Sequence, residues 1–219
     1  MDEKSFKKKK IWLFDLDNTI YSPSTKIFDQ IDKRMKLFIS KKLLVSEDEA
    51  FVLQKKFYNK YGTTLYGLMK HYKFDPDEFL DFVHNVDLSN LKKNTLLFDK
   101  IQSLPGTKII YTNGEKKYAK RVLKSLGIVS LFKSVWDIKK SKFIPKPEIT
   151  PLKSLLLENN FDSSICVYFE DIKKNLKPAH HLGITTIHIT NDKFHKKDSY
   201  VDFRFKSIIS ALNMINKNL

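Results

Sequence analysis

Hydrophobic and polar positions divide the chain into three zones of different period. Near the start, Ile11, Trp12, Leu13 and Phe14 run without polar interruption, which predicts a short strand, buried on both faces, over residues 10–15. Turn chemistry follows at Asn18, Ser22 and Ser24. From about residue 25 to residue 86 the period becomes helical, with Ile27, Ile31, Met35, Phe38 and Ile39 on one face. Ser46 and Glu49 form a capping box ahead of a helix over residues 51–61, and Asp75, Pro76 and Glu78 start another over residues 79–86. After about residue 96, strands predicted over residues 108–112, 134–137, 165–169 and 185–189 alternate with helices over residues 115–126, 151–159, 172–182 and 207–215.

That alternation predicts an α/β fold, a doubly wound, Rossmann-like parallel sheet with helices on both faces. The helical stretch interrupts it after the first strand. Residues 1–22 and 90–219 are therefore expected to form the core, and residues 23–89 an inserted, all-helical cap. Sheets of this kind bind ligands beyond the carboxyl ends of their strands, so chemistry is to be sought there.

Composition narrows the classes. With 219 residues, 42% of them hydrophobic and 30% charged, the chain can bury a sizeable core. The lone Cys166 has no disulfide partner and lies in the apolar run 165–169, as a buried structural thiol does. No segment reaches the roughly 18 apolar residues of a membrane helix. Asp15 and Asp17 break the first apolar run too early for a secretory signal. A soluble, cytoplasmic protein without a membrane partner is expected. The net charge of +15 raises polyanion binding, but the lysines come as scattered pairs, such as Lys41 with Lys42 and Lys92 with Lys93. Such pairs read as a solvated surface rather than a docking stripe, so nucleic acid is not the expected partner. The excess charge can still steer anionic ligands at low salt.

The predicted strand ends carry the candidate chemistry. The first closes on Asp15-Leu16-Asp17-Asn18-Thr19. Two carboxylates leaving a buried strand at about 5 Å repel by about 3 kcal/mol at an effective dielectric near 20, so they call for a cation or for chemistry. The second closes on Tyr111-Thr112-Asn113-Gly114, whose hydroxyl, amide and flexible glycine suit phosphate oxygens, although the same residues make ordinary turns. After the third, Pro145 and Pro147 hold Lys146 in an extended connection that can aim its ammonium into a cleft. The fourth closes on Phe169-Glu170-Asp171, with Asn175 four residues later, oxygen donors suited to a hard cation such as Mg²⁺. Asp171 alone could instead be a helix cap.

In this order and placement the four motifs resemble the haloacid dehalogenase superfamily of hydrolases. Residues 14–21, residues 61–68 (Tyr-Gly-Thr-Thr-Leu-Tyr-Gly-Leu), Phe82-Val83-His84 and Tyr111-Thr112-Asn113-Gly114 further resemble its pyrimidine 5′-nucleotidase branch. The resemblance implies a magnesium-dependent phosphatase in which Asp15 attacks phosphorus and Asp17 protonates the departing oxygen. It implies Mg²⁺ held by Asp15, the Asp17 backbone carbonyl and Asp171, with Glu170 and Asn175 one layer behind. Thr19, Thr112, Asn113 and Lys146 would hold the phosphate oxygens. A phosphate dianion beside Asp15, Glu170 and Asp171 meets three carboxylates that Lys146 alone cannot neutralise, which also calls for a divalent ion. Asp17 argues against a dehalogenase, since a leaving halide needs no proton. In the cap, Tyr61, Tyr66, Met69 and His71 are the candidates to contact a base, although aromatics at helical spacing also build a cap core. The implied substrate is a nucleoside 5′-monophosphate with pyrimidine preference. The alternative is another small ester, such as a sugar phosphate, pyridoxal phosphate or phosphoglycolate. From a different class, the alternative is a basic polyanion-binding protein with an idle core. Oligomeric state stays open.

Overall fold

The Ile-Trp-Leu-Phe run forms β1 (Ile11–Phe14) in a computed structural model that describes residues 6–192 and 198–219. β1 lies at the centre of the sheet, with β2 (Thr107–Tyr111) and β3 (Ser134–Trp136) on one side. On the other side lie β4 (Cys166–Glu170), β5 (Thr185–Ile189) and β6 (Phe203–Phe205). Every neighbouring pair is parallel. Alternate residues of β1 serve opposite faces: Trp12 and Phe14 join one core cluster, Ile11 and Leu13 the other. A strand covered on both sides must be apolar throughout, which is why this run carries no polar residue. Phe14 and Phe169 stack across β1 and β4 at 4.6 Å, and Cys166 is wholly buried in the opposite cluster.

After β1 the chain first forms α1 (Ile27–Leu43), α2 (Glu47–Tyr61), α3 (Thr64–His71) and α4 (Pro76–Val83), which pack on one another. The Ser46–Glu49 capping box starts α2 at Glu47, earlier than the predicted residue 51. α3 is a separate short helix, capped by Thr63 and pressed on Phe57 through Gly67, where an added Cβ would come within 2.4 Å of the ring. After this block come α5 (Thr95–Gln102), α6 (Lys116–Leu126), α7 (Ile149–Glu158), α8 (Lys173–His181) and α9 (Ile208–Lys217), interleaved with the strands. Sequence periodicity misses α5 and β6. α5 buries only Leu97 and Ile101, and β6 is a half-buried, three-residue edge strand too short to establish a period. No described helix is long and apolar enough to cross a membrane.

Candidate active site

Sheet register assembles the site. Phe14 lies opposite Ile110 on one side and Phe169 on the other, so Asp15 emerges at the carboxyl edge between the ends of β2 and β4. Lys146 enters from the connection after β3. Asn113 docks that connection, its Oδ1 accepting the Lys146 backbone N–H at 2.9 Å. Gly62 closes over it from the helical block. A Cβ there would sit 2.8 Å from the Lys146 carbonyl, and the φ of +85° independently favours glycine.

The Lys146 ammonium is buried among four acceptors: Asp15 Oδ1 at 2.6 Å, Glu170 Oε2 at 2.8 Å, the Tyr168 hydroxyl at 3.1 Å and the Tyr111 carbonyl at 3.2 Å. Burial opposes its charge, but Asp15 and Glu170 outweigh burial and raise its pKa above the ordinary lysine value. Burial acts in reverse on Glu170, yet the ammonium and the hydrogen bonds from Lys146 and Tyr168 keep it below the usual range. One ammonium cannot do this for every carboxylate. Burial and the Glu170 charge push Asp15 up to about 7, and burial with Glu170 and Asp15 pushes Asp171 up to about 9. Oxygens of Asp15, Glu170 and Asp171 all lie within 4.8 Å of one another. The Asn175 Oδ1, buried beside them, has no hydrogen-bond partner among the described residues. Excess negative charge, hard oxygen donors and an orphaned buried oxygen together fit a divalent cation.

Supporting groups hold these carboxylates in place. Ile172 N donates to Glu170 Oε1 at 3.1 Å. His188 Nε2 carries the hydrogen it donates to the Asp171 carbonyl at 2.9 Å. Asp171 does not cap α8, whose N-cap is Ile172. Thr19, expected at the phosphate, is not among the residues that line the cavity. Thr19 is buried, and its hydroxyl donates to Asp171 Oδ1 at 3.4 Å, orienting that carboxylate. Asn113 lines the cavity, and its side chain also serves the Lys146 connection. Thr112 lines the cavity, and its Oγ1 accepts Gly114 N–H at 2.9 Å. Asp17 Oδ1 accepts from Tyr118 at 2.7 Å and from Tyr21. Burial raises the Asp17 pKa, against the pull of these two bonds. The Tyr118 ring stacks on His84, which burial pushes down to about 4 and so keeps neutral.

A cavity of about 330 Å³ lies over this cluster. Its lining includes Asp15, Asp17, Lys146 and Asp171 from the sheet edge, and from the helical block Phe28, Ile31, Met35, Tyr58, Phe79 and Leu80 together with the polar Asp32, Gln54 and Lys55. Tyr61, Tyr66, Met69 and His71, the expected cap contacts, are not among the residues that line this cavity. Tyr61 ends α2 and turns onto α3, where its hydroxyl meets His71 Nε2 at 2.8 Å and its ring meets Tyr66 edge-on. Sequence reasoning also passes over Tyr21, His84, Tyr118, Tyr168 and His188 as site residues. For Tyr168 and His188 a signal exists: each is a polar-tipped residue inside an apolar strand run, where a buried polar atom needs a partner.

A family model described as haloacid dehalogenase-like hydrolase matches residues 12–189. The chain belongs to the haloacid dehalogenase-like hydrolases. The family match and the relatives that follow define its class, a phosphoric monoester hydrolase. It is 28% identical over 235 residues to Phosphate metabolism protein 8 of Saccharomyces cerevisiae, covering 94% of this chain and 70% of that protein. It is 28% identical over 228 residues to Glyceraldehyde 3-phosphate phosphatase of Methanocaldococcus jannaschii, covering 94% and 96%. Among solved structures, a HAD phosphatase from Thermococcus onnurineus aligns with a TM-score of 0.62 at 19% identity, over 94% of this chain and 97% of its own. The magnesium-bound HAD-hydrolase YfnB of Bacillus subtilis aligns with a TM-score of 0.63 at 14% identity, over 96% and 100%. At these identities the two structures speak to the fold alone.

Proposed function

We propose that the chain dephosphorylates nucleoside 5′-monophosphates, with a preference for pyrimidines, through an aspartyl-phosphate on Asp15. One observation carries this reading: Asp15, Lys146 and Asp171 share a cavity of about 330 Å³ with a largely apolar lining from the helical block. That volume is at the small end of the roughly 300–1,000 Å³ typical of ligand sites, and it leaves room for a planar ring beyond the phosphate. Residues 23–89 act as the cap that supplies this lining.

Asp15 attacks phosphorus while Lys146 holds its Oδ1 and screens the transferring oxygens. Asp17 gives its proton to the departing ester oxygen, then takes one from the water that opens the acyl phosphate. Thr112 already accepts from Gly114, so its own hydrogen is free for a phosphate oxygen. Asp15, Asp171 and the Asp17 backbone carbonyl would hold Mg²⁺, with Glu170 and Asn175 behind them. When bound, Mg²⁺ supplies the positive charge that lets a phosphate dianion approach these carboxylates.

Removal of divalent ions with EDTA is expected to lower phosphate release more than ~100-fold, with recovery on adding Mg²⁺. Saturating Mg²⁺ should raise Tm by about 5–10 °C in wild type, from about 2.7 kcal/mol of linkage at 100 times Kd. The shift should be largely lost in Asp171→Asn. Activity in EDTA equal to that in Mg²⁺ would remove the metal from this account.

A second reading, a phosphatase for triose phosphates, draws on the Methanocaldococcus jannaschii relative. A panel of UMP, CMP, AMP, GMP, glyceraldehyde 3-phosphate, pyridoxal phosphate, phosphoglycolate and hexose phosphates separates the two. UMP and CMP are expected to lead in kcat/KM by about 10-fold or more, on the order of one pocket contact. No phosphate from UMP or CMP would dismiss the nucleotide reading, and turnover of glyceraldehyde 3-phosphate would put the second in its place.

A further inference from the structure

Two phenols converge on one oxygen of Asp17. Tyr118 donates to Oδ1 at 2.7 Å, Tyr21 donates to the same atom, and the two hydroxyl oxygens are 3.1 Å apart. Both tyrosines are buried, whereas Asp17 lines the cavity and its Oδ2 has no hydrogen-bond partner among the described residues. The phenols reach Asp17 from different parts of the fold. Tyr21 follows it by one turn of chain, and Tyr118 comes from α6, 101 residues away. Tyr118 is itself held, its ring lying flat against His84 at 4.5 Å and 5°. Arg121, on the same helix, donates to the carbonyls of His84 at 3.0 Å and Val86 at 2.8 Å, tying down the segment that carries the stacked imidazole.

Each phenol has one hydrogen, and Oδ1, within hydrogen-bond distance of both hydroxyls, is a stronger acceptor than either hydroxyl is for the other. A carboxylic acid accepts two hydrogen bonds readily on its carbonyl oxygen. Were the acid proton on Oδ1, three hydrogens would crowd one oxygen. We infer that Tyr21 and Tyr118 are positioning residues for Asp17: they hold Oδ1 as the accepting oxygen and so place the transferable proton on Oδ2, the oxygen free to face the leaving group. The inference rests on the phosphatase reading of the site, whichever ester is physiological. In the acid step the bond from phosphorus to the ester oxygen breaks and the electron pair stays on that oxygen. The oxygen takes the hydrogen from Oδ2 as Asp15 completes its new bond to phosphorus. Asp17 is left as a carboxylate with both phenol hydrogens already on Oδ1. The two bonds become charge-assisted as the proton leaves, so they stabilise the transition state more than the ground state.

A purely structural role would be filled equally well by phenylalanine, and leaving-group dependence separates the two. β-Glycerol phosphate needs a proton on its departing alkoxide; p-nitrophenolate departs without one. kcat/KM reports the route up to phosphoenzyme formation, so the later base role of Asp17 does not enter. In saturating Mg²⁺, Tyr118→Phe is expected to lower kcat/KM for β-glycerol phosphate by about 10–100-fold, the worth of one hydrogen bond to a charged group. For p-nitrophenyl phosphate the same variant should lose less than ~3-fold. Tyr21→Phe should shift in the same direction, and the double variant should approach the leaving-group pattern of Asp17→Asn. Equal losses on both esters, or none on either, would overturn the inference. Should Tyr118→Phe lose its folded circular dichroism spectrum, Tyr21→Phe decides by the same criterion. A wild-type protein inactive on every ester would overturn the phosphatase reading, and this inference with it.

Discussion

Asp15→Asn is expected to lower phosphate release by ~10⁴-fold or more while leaving the fold intact, as loss of a nucleophile does in covalent catalysis. The exchange keeps shape and one oxygen but replaces a nucleophilic carboxylate with an amide. Stability should be unchanged or slightly raised. Asp15 is a buried carboxylate whose pKa burial and Glu170 push up to about 7, so the folded state disfavours its charge, and Lys146 keeps Glu170 as a partner in the variant. The checks are steady-state phosphate release, acid-quench trapping of a phosphoenzyme in wild type but not in the variant, and the two Tm values. An Asp15→Asn protein with more than ~10% of wild-type turnover would end the covalent mechanism.

Lys146→Met should damage both activity and stability, which distinguishes it from Asp15→Asn. The ammonium lies within 2.8 Å of two carboxylates whose side chains are 8% and 1% exposed. Removing one partner of such a buried group costs about 3–5 kcal/mol, because the remaining charges are left without compensation. For a chain of this size that corresponds to a Tm lower by about 10 °C, read by thermal unfolding in EDTA so that added cation does not mask the loss. Turnover in Mg²⁺ should fall by ~10²–10³-fold, the range seen when one charge-stabilising donor is deleted from an active site. Lys146→Arg should not rescue either loss, because a planar guanidinium does not fit a pocket shaped around a compact ammonium. Wild-type Tm and turnover in Lys146→Met would show that the lysine holds neither Asp15 nor the reacting group.

These expectations draw on features of unequal visibility in the chain. The apolar run of β1, the helical period from Ile27 to Ile39 and the later alternation are local, so sheet and helices can be read directly. Parallel sheets bind ligands at their carboxyl edge, and that rule alone brings Asp15, Thr112 and Asp171 together without coordinates. Lys146 joins them on the weaker ground of its flanking prolines, and the fold justifies it through Asn113 and Gly62, each anchoring the same short connection.

Other assignments depend on packing. Thr19 and Asn113 have the right chemistry for phosphate, and only packing shows that the Thr19 hydroxyl also meets Asp171 and that Asn113, on the cavity lining, also holds the Lys146 backbone. Tyr58 and Tyr61 are three residues apart on α2, and the sequence offers no reason to prefer one. Only the docking of α2 on α3 turns Tyr61 to His71 and leaves Tyr58 on the cavity wall. The pairing of Tyr118 with Asp17 spans 101 residues and has no local signature. The chain by itself determined the order of the longer elements, the buried strands and the residue types at their ends, because periodicity and turn chemistry act between near neighbours. The tertiary structure alone decided which polar atoms meet and which aromatic rings face the cavity, because those choices follow from how distant, already formed elements pack against one another.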